Sequence, residues 1–169
     1  MGQSARLMQV SRRIGLAFAG FFVASALVAP AQATTQSPTL SQNEQTLIGA
    51  VNDVRGAHGL RALQVDPTLV RAARDYSATL IRRDVLTHGS LGQRLARYGA
   101  RGPLFGENLA WGTGRRAAAR YIVRSWLASP THRSVLLRPG WTRIGIGART
   151  GTFLGHGGAT VVTADFSGS

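Results

Sequence analysis

The sequence predicts an α+β fold in which a run of helices precedes an antiparallel sheet. Helical patterns occupy the chain from Ser41 to Leu137, whereas strand patterns are confined to the segment from Arg143 to Phe166. Strands and helices do not alternate as they do in βαβ units, and this order is typical of layered α+β proteins rather than of a parallel, doubly wound sheet.

The first helix is predicted from its start signal and its apolar spacing. Ser41 and Glu44 stand three residues apart, as the two partners of a capping box do. Apolar residues follow at helical spacing, namely Leu47, Ile48, Val51 and Val54. Gly56 and Gly59 are expected to end this helix.

A second helix is predicted to begin at Asp66-Pro67, an acidic N-cap followed by proline at the first helical position. We expect it to run to about Leu86, so that His88 lies just past its end. Its inner stripe consists of Leu69, Val70, Ala73, Tyr76, Ser77 and Leu80.

The segment from Gly89 to Gly106 is predicted to be mostly loop, with one helical turn near Arg94 to Tyr98. A third helix is expected from Arg115 to Ala128, and Ser129-Pro130 should begin a short helical turn that carries His132.

The end of the chain has the features of strands. Ile144, Ile146 and Ala148 alternate with small or polar residues, and Thr160 to Phe166 is rich in β-branched residues. Gly151 to Gly158 is predicted to be a glycine-rich connector between them.

Residues 1–33 are predicted to be a cleaved signal peptide. Arginines without acidic residues precede an apolar stretch from Ile14 to Val28, and Ala31-Gln32-Ala33 has the form of a cleavage site. The pair Arg12-Arg13 also resembles part of a twin-arginine signal, so both export routes stay open. Residues 34–40 would then form a short leader, and the protein would be secreted or held in the periplasm or cell envelope without a transmembrane anchor.

The composition excludes thiol chemistry and indicates a basic surface. The chain has 169 residues, no cysteine, 20 basic residues that are all arginine, and a formal charge of +13. Without residues 1–33 it retains 17 arginines and 7 acidic residues, a net charge of +10. Such a charge suits anionic wall polymers, although it is equally compatible with simple solubility. Nucleic acid is not expected, because no recognition motif is present.

Three side chains are candidates for a shared site: His88, Glu107 and His132. Histidine and carboxylate side chains are common ligands of divalent metals and common general bases. The alternative is structural, with a histidine pair that stabilises loop ends and a buried Glu107 that accepts from backbone N–H groups. Asn108 is expected to hold a turn, and Asn52 and Arg55 to bond a neighbouring loop.

Several motifs in this order resemble the CAP superfamily of cysteine-rich secretory, antigen 5 and pathogenesis-related 1 proteins, including bacterial SCP-like extracellular proteins. The motifs are Asn52-x-x-Arg55, Gly59-Leu60-x-x-Leu63-x-x-Asp66-x-x-Leu69, Leu86-Thr87-His88, Gly106-Glu107-Asn108-Leu109-Ala110, Trp126-x-x-Ser129-Pro130-x-His132-Arg133, Gly145-x-Gly147 and Thr163-x-x-Phe166. The resemblance covers about residues 41–167, and we take 41–169 as the domain.

The resemblance implies an α–β–α sandwich with a central antiparallel sheet and a cleft where two histidines and two acidic residues meet, a site associated with divalent metals. His88, Glu107 and His132 match three of these four positions. The fourth acid is expected between His88 and Glu107, but Gly89 to Gly106 contains no Asp or Glu. Two expectations follow for the three remaining residues: they hold zinc with an open position, or they hold no metal and hydrogen-bond to one another.

Three functions are compatible with the sequence. The preferred one is a secreted, non-enzymatic binding module for a lipid-like or cell-envelope ligand in or beside the cleft. The second is a metal-assisted, peptidase-like hydrolase that uses His88, Glu107 and His132. The third is a basic protein that adheres to anionic wall polymers. No Cys and no Gly-x-Ser-x-Gly motif offers a nucleophile, which favours a binding protein over an enzyme.

Overall fold

The computed structural model describes residues 38–168, which contain five α-helices and four strands. The helices are α1 Gln42–Ala57, α2 Pro67–Arg83, α3 Leu91–Arg97, α4 Ala119–Ala128 and α5 Pro130–Leu136, and the strands are β1 Gln64–Val65, β2 Leu104–Gly112, β3 Trp141–Phe153 and β4 His156–Gly168. The predicted signal peptide and most of the leader lie outside the described residues. None of the helices within 38–168 is long and apolar enough to cross a membrane.

The four strands form one sheet in the order β1-β3-β4-β2. The three long strands pair in antiparallel fashion, with β4 between β2 and β3. The predicted antiparallel sheet is therefore confirmed for its main part. β1 adds a parallel edge to β3, and at two residues it is too short to leave a sequence pattern.

Helices cover both faces of the sheet, which confirms the predicted α–β–α sandwich. On one face, α1, α4 and α5 bury a core against the sheet that includes Leu47, Val51, Ile122, Trp126, Leu136, Ile144, Ile146, Val162 and Phe166. On the other face, α2 lies directly on β3 and β4. It approaches so closely because Gly145 and Gly147 present no side chain: a Cβ on Gly147 would lie 2.2 Å from the backbone nitrogen of Arg74.

The starts of α1 and α2 follow from their caps, as predicted. The Ser41 hydroxyl accepts from the Glu44 N–H and the Glu44 carboxylate accepts from the Ser41 N–H, which completes the capping box. At the start of α2, Asp66 accepts from the backbone N–H groups of Thr68 and Leu69 at 2.8 and 3.2 Å. These short-range signals are local, so the sequence alone reveals them.

The end of α2 was predicted about one turn too late. The helix ends at Arg83 because Asp84 adopts a left-handed conformation with φ 50°. The Asp84 carboxylate then accepts a hydrogen bond from the backbone N–H of Leu154 in the β3–β4 turn. A contact between distant parts of the chain thus sets this helix end.

Strand β2 was not predicted, and it carries the Gly-Glu-Asn motif. Five successive residues, Gly106 to Ala110, are buried, because helices cover both faces of the strand. A strand buried on both faces has no polar and apolar alternation, so its sequence lacks the period of two.

The predicted connector between the last two strands is instead the tip of a hairpin. β3 and β4 extend to Phe153 and His156 and are joined by Leu154 and Gly155, whose φ values are 48° and 77°. Positive φ at both positions is the signature of a type I′ turn. Gly155 in this turn therefore allows the two strands to pair closely instead of forming a long connector.

Two further helical predictions needed correction. The segment predicted as mostly loop contains α3, which spans two turns rather than one. The third predicted helix begins at Ala119 rather than at Arg115, because a 3-10 turn at Gly114–Ala117 ends in extended backbone at Ala118.

Asn52 and Arg55 bond neighbouring segments, as predicted. The Asn52 amide donates to the carbonyl of Leu63 and accepts from its N–H, at 3.2 and 2.9 Å. The fully buried Arg55 donates to the carbonyls of Arg61, Leu136 and Arg138. Both residues therefore secure the loops around α1.

Candidate functional site

The loop between α2 and α3 presents His88. The Tyr76 hydroxyl donates to the Thr87 carbonyl at 2.6 Å, which fixes the residue before the histidine. The next residue, Gly89, has φ 56°, and a Cβ there would lie 2.8 Å from the Tyr76 hydroxyl oxygen. Glycine is thus required at position 89, because it allows the positive φ and leaves room for the Tyr76 hydroxyl. The loop holds His88 against the edge of the sheet.

Glu107 on β2 contacts His88 directly. Its Oε1 lies 2.7 Å from Nδ1 of His88. The Glu107 side chain is 2% exposed, whereas that of His88 is 58% exposed. A buried carboxylate therefore orients a solvent-accessible imidazole through one ring nitrogen, and the other nitrogen, Nε2, has no hydrogen-bond partner within residues 38–168.

Two charged residues that sequence reasoning did not assign to the site complete this cluster. Asp165 on β4 lies opposite Glu107 in the strand register, and Arg94 on α3 contacts both carboxylates. Arg94 donates to the two oxygens of Asp165 at 2.8 and 2.9 Å and to Oε2 of Glu107. Glu107 is therefore satisfied by side chains of the described residues, in contrast to the structural alternative in which it accepts from backbone N–H groups.

Burial governs the protonation of the two carboxyl groups. It raises the pKa of Glu107 to about 8, although Arg94 acts in the opposite direction. It likewise raises the pKa of Asp165 to about 6 against the pull of Arg94. One guanidinium is shared between two buried carboxylates, so it does not offset the desolvation of both.

The pKa of His88 is shifted downward. Burial is the main cause, followed by repulsion from His132 and Arg94. With the pKa of Glu107 raised and that of His88 lowered, the pair holds one proton between its two members in the neutral range. Such a pair can accept or donate a hydrogen bond at neutral pH.

His132 approaches the same edge of the sheet from the opposite helical layer. It lies on α5, where its Nδ1 is 2.8 Å from the Ser129 hydroxyl oxygen. The buried Asn108 donates to the His132 carbonyl at 3.0 Å, so it ties β2 to α5. Asn108 was expected to hold a local turn, and this assignment is corrected.

The structure thus joins His88 to Glu107 and places His132 near enough to affect the pKa of His88. Within residues 38–168, no group of three or more His, Asp or Glu side chains has a geometry that could hold a metal ion. Both Glu107 oxygens have partners, and Nδ1 of each histidine is engaged. The roles of the three predicted residues stay predictions.

A cleft of about 880 Å³ adjoins this cluster, between α2, α3 and the His88 loop. We call it the arginine cleft; its lining residues are Asp75, Tyr76, Thr79, Arg82, Arg83, Thr87, Gly89, Ser90, Gln93, Arg94, Arg97 and Tyr98. Its volume lies within the range of small-ligand sites, but hydroxyl, amide and guanidinium groups dominate its lining.

The fold and the cluster define the class of this protein: an α–β–α domain whose candidate site lies at the open β2 edge of the sheet. The family model described as CAP, cysteine-rich secretory protein family, matches residues 48–166. The chain belongs to this family.

Relatives with known sequence or structure agree with this assignment. The uncharacterized protein YkwD of Bacillus subtilis is 31% identical over 120 residues, which are 68% of this chain and 46% of YkwD. An extracellular SCP-domain protein of Bacillus anthracis superposes with TM-score 0.65 at 24% identity, covering 79% of this chain and 45% of that one. An outer surface protein of Borrelia burgdorferi superposes with TM-score 0.63 at 23% identity, covering 78% and 97%.

The chain spans less than half the length of YkwD. At these identities the structural similarities establish the fold alone. The ligand and the chemistry of this protein therefore depend on its own residues.

Proposed function

We propose that this protein is an exported binding module that holds an anionic, hydroxyl-rich component of the cell envelope in the arginine cleft, beside His88 and Glu107. The observation that carries the proposal is the composition of this cleft. It combines several arginines and hydroxyl groups with a single acidic residue.

The arginines of the cleft are available to a ligand. Arg82, Arg83 and Arg97 are exposed, and none has a carboxylate within 4 Å among residues 38–168. The one acidic residue, Asp75, accepts a hydrogen bond from the Tyr98 hydroxyl at 2.6 Å. Arg82 donates to the Thr79 hydroxyl at 2.8 Å but has no carboxylate partner among the described residues. Guanidinium groups without a carboxylate partner form strong paired hydrogen bonds with carboxylate and phosphate groups of a ligand.

Hydroxyl groups in the cleft support a glycan-like rather than a purely ionic ligand. The Ser90 hydroxyl can donate to and accept from sugar hydroxyls, and Gln93 adds an amide. The Thr79 hydroxyl is engaged, since it donates to the Asp75 carbonyl and accepts from Arg82. The two residues that flank His88, Thr87 and Gly89, line the same cleft. A polar ligand with dispersed negative charge matches this set of groups better than an acyl chain does.

The lipid-like alternative has its own candidate surface. A groove of about 350 Å³ is lined by Trp111, Arg116, Tyr121, Ile122, Arg124, Ser125 and Ala128. It shares no residue with the arginine cleft. Lipid binding and anion binding can therefore be tested by separate substitutions.

Location in the envelope agrees with the proposal. Residues 1–33 have the features of an export signal, and two of the similar structures are described as an extracellular protein and an outer surface protein. An exported basic domain would meet anionic polymers in the envelope. Such polymers attract a chain with excess arginine through long-range electrostatic forces.

Hydrolysis remains a second candidate because of one observation, the bond between Glu107 and Nδ1 of His88. A carboxylate that orients an imidazole in this way is a recurrent arrangement in general base catalysis. Peptide and glycan hydrolysis should be measured for the wild type and for Glu107→Gln. Activity that survives this substitution at full rate would contradict a catalytic role for the pair.

Calorimetric titration with a uronic acid oligosaccharide and with a glycerol phosphate polymer tests the binding proposal. A carboxyl-reduced oligosaccharide serves as the neutral control ligand. The double variant Arg82→Gln/Arg97→Gln should weaken binding by at least roughly 100-fold, because it removes two charge-assisted hydrogen bonds of about 1.5 to 3 kcal/mol each.

The matched control variant is Arg115→Gln/Arg120→Gln, which removes the same charge from exposed positions outside the cleft. It should retain binding within about twofold, since it changes only long-range attraction. Equal losses in the two double variants would mean that general surface charge is responsible. Equal affinity for the carboxyl-reduced ligand would contradict recognition of the anion.

A further inference from the structure

We infer that the guanidinium of Arg94 is the resident cation of the His88–Glu107 site and takes the place that the resemblance assigns to a divalent metal ion. The site would then work without a metal. This inference does not depend on which ligand the arginine cleft binds, since it concerns only the buried charges beneath it.

Arg94 lies between two buried carboxylates. Asp165 is fully buried, Glu107 is 6% exposed and Arg94 is 5% exposed. The guanidinium makes a two-point contact with Asp165 and a further contact with Glu107. It therefore provides at this point the positive charge that a metal ion would otherwise supply to two acidic ligands.

Tyr76 and the Ala72 carbonyl hold the Arg94 guanidinium from its other sides. Its guanidinium carbon lies 4.0 Å from the centre of the Tyr76 ring, a cation–π contact. Its Nη1 is 3.5 Å from the Ala72 carbonyl oxygen. The neighbouring Leu95 is fully buried and anchors α3. The cation is thus part of the folded structure and has no route to leave the site.

Within the described part of the chain, few atoms of the three predicted ligands are free to coordinate a metal ion. Oε1 and Oε2 of Glu107 bond to His88 and Arg94, and Nδ1 of His132 bonds to Ser129. Of the three predicted ligands, only the two Nε2 atoms lack hydrogen-bond partners within residues 38–168. A catalytic zinc site uses three protein ligands, so these residues do not fit the ion unless Arg94 is displaced.

The sequence agrees with this exchange. The resemblance places the fourth acid in the interval from Gly89 to Gly106, and this interval supplies Arg94 but no acid. The second buried acid comes instead from β4, as Asp165. The chain therefore supplies a cation of its own, Arg94, to the two buried acids Glu107 and Asp165.

The test is calorimetric titration of the purified protein, freed of metal by a chelator, with Zn²⁺ and with Mn²⁺. Wild type should bind neither ion stoichiometrically, and chelator should leave its Tm unchanged. One-site binding by wild type that is lost in Glu107→Gln would overturn the inference.

Arg94→Gln tests the inference from the opposite direction. Removal of the guanidinium leaves Glu107 and Asp165 without a counter-charge, so divalent ions should bind at least about tenfold more tightly than to wild type and should raise the Tm. Arg115→Gln, at an exposed position outside the arginine cleft, is the matched control and should gain nothing.

Each result has a definite meaning. A folded Arg94→Gln variant that gains no affinity for metal would overturn the inference, because Arg94 would not be what excludes the ion. If Arg94→Gln does not fold, the wild-type titration decides alone: stoichiometric binding overturns the inference and absence of binding supports it.

Discussion

Gly147 on β3 is a position where a single added methyl group should disturb the packing of α2 on the sheet. In the structure, a Cβ at this residue would lie 2.2 Å from the backbone nitrogen of Arg74 and 2.3 Å from the carbonyl carbon of Ala73. These atoms belong to the backbone of α2, so no side-chain rotation can relieve the clash. Gly147→Ala therefore requires α2 to move away from the sheet.

The size of this movement sets the expected cost. Ordinary contacts between nonbonded heavy atoms are about 3.5 Å, so the helix must shift by roughly 1 Å, and a gap of that size removes about a quarter to a half of each contact energy. The inner face of α2 buries Leu69, Val70 and Leu80. We expect a loss of about 3 kcal/mol in the free energy of unfolding, near the upper end for overpacked sites.

Thermal denaturation measured by circular dichroism is the assay. A loss of 3 kcal/mol should lower the Tm by about 10 °C in a domain of this size. Gly49→Ala is the matched control, because Gly49 is exposed within α1 and nothing lies within 4 Å of its added Cβ. It should stabilise the protein by about 0.5 to 1 kcal/mol. A Gly147→Ala variant that unfolds within about 1 °C of wild type would refute the close packing of α2 on the sheet.

Three further predictions concern caps and buried charges. Asp66→Ala should lower the free energy of unfolding, measured by urea denaturation, by about 1 kcal/mol, because two N–H groups at the start of α2 lose their acceptor. A change below about 0.3 kcal/mol would mean that the cap is not formed in solution. Arg55→Ala should cost about 3 kcal/mol, since buried carbonyl groups lose their donor, whereas Arg115→Ala on the surface should stay within about 0.5 kcal/mol. Burial raises the pKa of Glu107 from 4.5 to about 8, so the folded state retains a proton that the unfolded chain has lost. That contribution to stability is present below about pH 4.5 and is lost as the pH rises through about 8, so the Tm should fall over this range. The raised pKa of Asp165, about 6, also lowers the Tm up to about pH 6. Glu107→Gln should therefore flatten the fall of the Tm above about pH 6, where only Glu107 contributes. An identical pH profile for Glu107→Gln would contradict the raised pKa.

The elements that the sequence predicted best are those defined by local signals. The capping pair Ser41 and Glu44, the N-cap Asp66 and the proline at the start of α5 act over three or four residues, so each is visible without tertiary information. β2 was missed because helices bury both of its faces and remove the alternation that identifies a strand. The end of α2 was misplaced because it depends on a hydrogen bond from the distant Leu154.

The candidate site was predicted only in part for a related reason. The motifs identified His88 and Glu107, and the structure places them in contact. Arg94 carried no signal, because a basic residue in a segment with several arginines is normally a solvated side chain. Its burial follows from tertiary packing, since the docking of Leu95 fixes α3 and turns its neighbour inward.

The register between β2 and β4 explains why a proton or a cation is required at this point in the fold. Antiparallel pairing sets Glu107 directly opposite Asp165 on one face of the sheet, beneath α2 and α3. Two like charges facing each other across strands destabilise a sheet, and burial makes the repulsion stronger. Either a proton or a cation must therefore accompany them. The raised pKa values of both carboxyl groups and the two-point contact with Arg94 both reduce this repulsion. A chain that had an acid in place of Arg94 would need a cation from solution to do the same.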